Sequence, residues 1–170
     1  QYGEDWIHAG RMPITASHTF STPNQPWVNH ENLFELAVAV GQRTVGGYGL
    51  MIFKCLSGLW LLWMMVRNAS RLGVPVLAAA VAMIPVAAGL AEFWLMRPQL
   101  LSFLFFCLML VALDRAFRDW GASKTVYFRW LWFCIPLMIA WTNAHGGFAA
   151  GLCVFVAVLG LRGIELWWHQ

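Results

Sequence analysis

Charge is what this sequence has least of. Only 11% of its 170 residues are Asp, Glu, Lys or Arg, while 60% are apolar; ordinary soluble domains carry about 25% charged residues. A soluble globule of this length has too little interior to hide so much apolar surface. The net charge is only +3, too small to argue for an acidic partner, and the composition excludes a soluble enzyme, a disordered tail and a nucleic-acid binder. Cysteine is also scarce, and Cys55, Cys107, Cys134 and Cys153 sit in apolar runs without CxxC spacing. They read as small hydrophobes rather than disulfide or zinc partners. The chain starts at Gln1, and no short apolar run with a basic start and a small-residue cleavage site precedes Tyr2. The expectation is that the chain begins inside something longer or after processing.

What is present, including 15 Gly, 11 Trp and 12 Phe, belongs to an all-α polytopic membrane protein with lipid around most side chains. About 20 apolar residues of helix cross a hydrocarbon core. The apolar stretches predict about five transmembrane helices, at 48–66, 74–95, 98–113, 130–144 and 148–161. The third can extend through Ala116 and Phe117. The last two come from one run divided at residues 142–147, which reads as a turn between two short helices or as the kink of one long helix. Residues 1–47 do not span. Within them, Asn29 is an N-cap candidate for an amphipathic interfacial helix of about 14 residues, which Gly41, Gly46 and Gly47 turn into the first span.

The few charges are ordered. Arg67, Arg71, Arg115, Arg118, Lys124, Arg129 and Arg162 fall in alternate loops and at the C-terminal end, which places that side in the cytoplasm. The opposite side takes residues 1–47 and the 92–97 and 142–147 turns, with five of the eight acids and four of the five histidines. Asn68-Ala69-Ser70 matches a glycosylation acceptor but falls on the cytoplasmic side, and is read as a chance match.

Several polar groups on the outer side are candidates for chemistry. Asp5 and His8, three residues apart with Glu4 beside them, project together from a helical turn and suit a base or a divalent-ion ligand; a solvated loop start is the plainer reading. Glu31 and Glu35 share a helix face, either as solvated surface charges or as part of a site with His30. Arg97 reads as a snorkelling side chain, as a partner of Glu92 or as a cation for a phosphate. His145, beside Asn143 and a Gly pair, either caps a tight turn or lines a cavity. Lys54 lies shallow in the first span and either snorkels or offers a phosphate partner.

Taken in order, Glu4-Asp5-Trp6-Ile7-His8, Met12-Pro13, His18-Thr19-Phe20-Ser21, Pro26-Trp27-Val28-Asn29-His30-Glu31, Arg97-Pro98-Gln99 and Trp141-x-Asn143-x-His145-Gly146-Gly147 resemble bacterial multi-spanning proteins of the C-type glycosyltransferase superfamily. Two positions depart from the pattern: Ile7 intervenes in the aromatic-histidine element, and His18 stands where an acid is usual. The resemblance implies a bacterial inner-membrane protein in which Asp5 deprotonates an acceptor hydroxyl while a polyprenyl phosphate leaves a sugar. It further implies that His8, His30, Glu31, Arg97, Asn143 and His145 line the substrate pocket, with a divalent cation, Mg or Mn, near the phosphate. Members of the group have a span before this loop and several after the region seen here, so the chain would be an N-terminal-half fragment or a shortened relative. The competing reading is a non-catalytic accessory subunit of a larger membrane complex, its 26 aromatic residues meeting lipid, pigment or other membrane subunits. A variant has a histidine such as His145 ligating a tetrapyrrole.

Overall fold

A computed structural model describes residues 2–12, 14–15, 18, 25–26, 29–92 and 94–168. The described residues form helices α1 (Tyr2–Ala9), α2 (Asn32–Thr44), α3 (Gly46–Arg71), α4 (Val76–Ala91), α5 (Gln99–Ala116), α6 (Trp120–Ser123), α7 (Phe128–Thr142) and α8 (Phe148–Trp168). The one extended pairing among them is an isolated antiparallel bridge between Thr15 and Pro26. The chain is an all-α polytopic membrane protein: α3, the stretch from Gln99 to Ser123 and α8 are long and apolar enough to cross a membrane. Helices α4 and α7 are apolar but shorter, with 16 and 15 residues; at 1.5 Å per residue they reach about 24 and 22 Å.

The helix ends differ from the expected spans for identifiable reasons. Helix α3 runs on through Asn68, Ala69 and Ser70 to Arg71, with the Ser70 hydroxyl donating to the Val66 carbonyl at 2.9 Å. It stops where Gly73 adopts φ +90 and its N–H reaches the Ser70 carbonyl at 3.1 Å, a glycine-terminated helix end. Pro75 then occupies the N-cap of α4, so the second apolar helix starts two residues later than 74. It also ends before 95, because Trp94 folds back: its indole N–H donates to the Lys54 carbonyl at 3.0 Å and its ring covers Gly58, where a Cβ would come within 2.8 Å of it. Helix α8 continues seven residues past 161, through Arg162 and Glu165. These charges do not end it because Arg162 pairs with Glu165 one turn on, at 2.8 Å, in the favourable i,i+3 arrangement.

The chain divides into two compact units, residues 1–100 and 101–170. In the first, α1 packs on α2, α2 on α3 and α3 on α4. The elbow from α2 to α3 is made by Gly46 at φ +68, a conformation other residues adopt at a cost. The second unit has its core in Met109, Ala112, Leu113, Cys134, Leu137 and Trp141. Phe105 and Phe106 flank the Trp141 ring, each with centroids 6.1 Å away. Helix α8 crosses this ring at Gly151, where an added Cβ would lie 2.3 Å from it. In lipid such small-residue contacts hold helices together, since the hydrocarbon supplies no hydrophobic drive between them.

Gly151→Ala is therefore expected to destabilise the protein in detergent by about 1–3 kcal/mol through overpacking. Gly160→Ala on the same helix, where a Cβ meets nothing within 4 Å, should be neutral or mildly stabilising. Thermal melting of both variants checks this, and equal melting temperatures would show that α8 does not rest on Trp141.

Candidate functional site

Helix α1 brings its polar side chains onto α2 because Gly3 permits close approach. A Cβ at Gly3 would come within 2.2 Å of the Glu35 carbonyl oxygen and 3.0 Å of the Ala39 Cβ. Gly10, at φ +65, ends α1 by donating to the Trp6 carbonyl at 2.9 Å. Across the α1–α2 contact, Arg43 donates to Glu4 Oε2 through Nε at 2.9 Å and through Nη2 at 2.5 Å. The same Nη2 reaches His8 Nε2 at 3.0 Å. Arg43 holds the exposed Glu4 carboxyl below its ordinary value, chiefly through these hydrogen bonds.

The pairing expected of Asp5 with His8 is not the one found. Asp5 Oδ2 accepts from His18 Nε2 at 2.6 Å, and His8 turns to Arg43. Because a guanidinium only donates, His8 Nε2 is an acceptor there. Tyr2 braces His18, with ring centroids 4.8 Å apart edge-on. The His18 imidazole thus stands beside the carboxylate expected to act as the base, and the sequence had marked His18 only as a departure from the family pattern. Residues 13, 16–17, 19–24 and 27–28, which include Pro13, Thr19, Phe20, Ser21, Trp27 and Val28 of the motif blocks, lie outside the described residues.

Asn29 does not cap α2. The N-cap is Glu31, and Asn29 works from two residues upstream: its Oδ1 accepts from the Glu31 N–H at 2.9 Å and its Nδ2 donates to Glu35 Oε2 at 2.5 Å. Asn32 Nδ2 in turn donates to the Asn29 carbonyl at 2.7 Å. The helix start is closed by this reciprocal set of bonds, which also places Glu35 where it is half-buried. Burial raises the Glu35 carboxyl above its ordinary value, outweighing the Asn29 bond that lowers it. Glu31 is half-buried and His30 is exposed. Arg97 is exposed, and neither it nor Glu92 forms an ion pair among the described residues, so the expected contact between the two is not made. Lys54 is half-buried in α3.

Asn143 and His145 belong to the second unit. Asn143 donates from Nδ2 to the Ile139 carbonyl at 2.8 Å, satisfying a carbonyl that the end of α7 leaves open. His145 joins a relay: Trp141 Nε1 donates to Ser102 Oγ at 2.8 Å, and Ser102 Oγ lies 2.9 Å from His145 Nδ1. That nitrogen also accepts from the Gly147 N–H at 3.0 Å. A backbone N–H can only donate, so Nδ1 carries the lone pair and the neutral ring keeps its proton on Nε2. Metal-ligating histidines show the reverse order, a donating N–H on one nitrogen and a free lone pair on the other. The relay thus sets His145 as a donor and argues against its ligating a tetrapyrrole. Gly147 is required, since a Cβ there would lie 2.7 Å from Ser102 Oγ, whereas Gly146 faces open space.

Among the described residues no group of three or more His, Cys, Asp or Glu side chains gathers to hold a metal ion. No family model, curated protein or solved structure matches the chain.

Two measurements follow from this geometry. Glu4, held below 4.5, supports the α1–α2 contact above that pH and ceases to as pH falls through its lowered value; Arg43→Gln should weaken α2 against hydrogen exchange at neutral pH. Glu35, held above 4.5, acts with the opposite sign, its stabilising neutral form being lost as pH rises from 4.5 through the raised value. Glu35→Gln should therefore protect α2 better than the native residue at neutral pH and lose that advantage below pH 4.5; an advantage independent of pH would refute this. For His145, nitrogen NMR of the ring in bilayers should find the proton on Nε2, and a protonated Nδ1 would break the assigned relay.

Proposed function

We propose that the chain is a glycosyltransferase-like membrane protein acting on a polyprenyl-phosphate-linked sugar, with residues 1–47 on the extracytoplasmic face of a bacterial inner membrane. The observation that carries this reading is the Asp5 carboxylate held through Oδ2 by His18. Its second oxygen, Oδ1, has no partner among the described residues. A carboxylate anchored through one oxygen presents the other in a defined direction, which a general base needs in order to reach an acceptor hydroxyl. In the transfer, the hydroxyl oxygen bonds to the anomeric carbon from the face opposite the phosphate. Its proton passes to Asp5 Oδ1, and the bond from the anomeric carbon to the phosphate oxygen breaks, its electron pair leaving with the lipid phosphate. Arg97, exposed and without an ion-pair partner among the described residues, suits the charge that develops on that phosphate.

The accessory-subunit reading draws on a separate observation. Only 11% of the apolar stretch of α3 and 6% of that of α8 are buried within the chain, against 33% for the stretch beginning at Gln99. Most of the surface of α3 and α8 is therefore left for lipid or other membrane subunits.

The two readings part on one substitution. In membranes carrying the protein in its natural context, supplied with polyprenyl-phosphate-linked sugars, Asp5→Asn should lower transfer by about 100-fold or more, the usual worth of a positioned base. His18→Ala should lower it less, because the carboxylate remains. Undiminished transfer in Asp5→Asn removes Asp5 as the base, and absence of transfer in the native protein favours the accessory subunit.

A further inference from the structure

Where α5 ends and α7 begins, a cavity of about 290 Å³ is lined by Arg115, Arg118, Asp119, Tyr127, Arg129 and Trp130. Its size is near the lower bound of small-molecule sites, about 300 Å³. The connection that forms it is pinned at both ends, since the Tyr127 N–H donates to the Ala116 carbonyl at 2.9 Å. Three guanidiniums and one carboxylate line the cavity, and that carboxylate has one oxygen taken by a neutral donor: the Tyr127 hydroxyl donates to Asp119 Oδ2. None of Arg115, Arg118 and Arg129 forms an ion pair among the described residues. Lys124 and Arg162, the neighbouring cations, by contrast both pair with Glu165, each at 2.8 Å.

The arginines are also oriented. Arg115 lies over the Trp130 ring at 4.6 Å, and Arg129 lies 5.7 Å from the same ring and 6.0 Å from that of Tyr127. Membrane topology asks only for a count of cations near a span end. It does not ask that they converge on a cavity, stack on aromatic faces and have the one carboxylate in that lining bonded to a phenol. Oriented guanidiniums with unused donors match the oxygens of a phosphate, to which arginine binds through paired hydrogen bonds. The ends of apolar helices lie at the depth of lipid headgroups.

We propose that this pocket binds a phosphate-bearing anion, gripped by Arg115, Arg118 and Arg129. The phosphate comes either from the headgroup of an anionic lipid or from a free phosphate in solution.

The test uses the full chain in phosphatidylcholine nanodiscs, with two arms. In one, phosphatidylglycerol is added and the lipids retained by the protein are identified by native mass spectrometry; in the other, inorganic phosphate is titrated and followed by phosphorus NMR. Arg118→Gln/Arg129→Gln should reduce binding by about tenfold or more, from the loss of two cations near the surface. Arg67→Gln/Arg71→Gln removes as many cations from the end of α3, neither of them among the lining residues, and should leave binding within about twofold of the native protein. Retention of phosphatidylglycerol with this pattern assigns the site to a lipid headgroup, and phosphate binding with the same pattern assigns it to a free phosphate. Either result supports the pocket. No binding in either arm, or equal losses in the two double variants, overturns it. Should Arg118→Gln/Arg129→Gln fail to fold, Tyr127→Phe carries the test: it removes no cation, frees Asp119 to compete for the arginines and should lower binding several-fold, and unchanged binding overturns the proposal.

Discussion

Hydrocarbon offers no water to a polar group, so each donor and acceptor carried by an apolar helix must find its partner within the protein. The polar side chains of these helices answer to that constraint. Ser57 and Ser70 return their hydroxyls to carbonyls one turn back, at 2.7 and 2.9 Å, and Thr142 and Asn143 share the Ile139 carbonyl at the end of α7. Two of the long-range bonds come from indoles. Trp94 reaches back 40 residues to the Lys54 carbonyl and Trp141 39 residues to Ser102. A tryptophan suits this role because its apolar ring packs while its one N–H seeks an acceptor. Among the described residues no buried side-chain polar atom is left without a partner.

The same indoles explain where glycine is needed. Gly58 lies under the Trp94 ring, Gly151 under the Trp141 ring and Gly147 against Ser102. At each, removing a side chain lets a large ring or a polar atom come close enough for both packing and a hydrogen bond. Gly160 and Gly163 have open space around them and bear no such duty. Glycine frequency alone does not separate these groups; what separates them is whether a tryptophan ring or a polar side chain stands opposite.

The membrane class was legible because it rests on composition, which needs no contacts, and the positions of the apolar helices because each is a local property. The partners of the polar residues were less legible. Helical spacing places Asp5 near His8 and says nothing of His18, which is brought up from 13 residues away. Asn29 looked like a cap because it precedes an apolar run, yet its side chain serves the Glu31 N–H and the Glu35 carboxylate instead. Helix α8 runs on past the expected span end at 161 for a related reason: Arg162 marks a membrane boundary when counted as a charge. Its pairing with Glu165 is a local i,i+3 signal that was present in the sequence and was outweighed by the charge rule. The contribution of Lys124 to the same carboxylate, 41 residues distant, was not readable at all.

Two carboxylates near the ends of the second unit's helices show how differently one charge can act. Glu165 accepts from Lys124, Arg162 and Trp120, so it gathers cations and lets α8 continue past them. Asp119 takes its short bond from the Tyr127 hydroxyl, and the phenol is held above its ordinary value by that carboxylate. That donor is neutral, and Asp119 forms no ion pair with the neighbouring arginines among the described residues. The consequence is an uneven field: cations that a topology rule counts alike are paired around Glu165 and left unpaired around Asp119. The charge that distinguishes the end of α5 from the end of α8 is therefore set less by how many arginines each carries than by which donor lies nearest its acid.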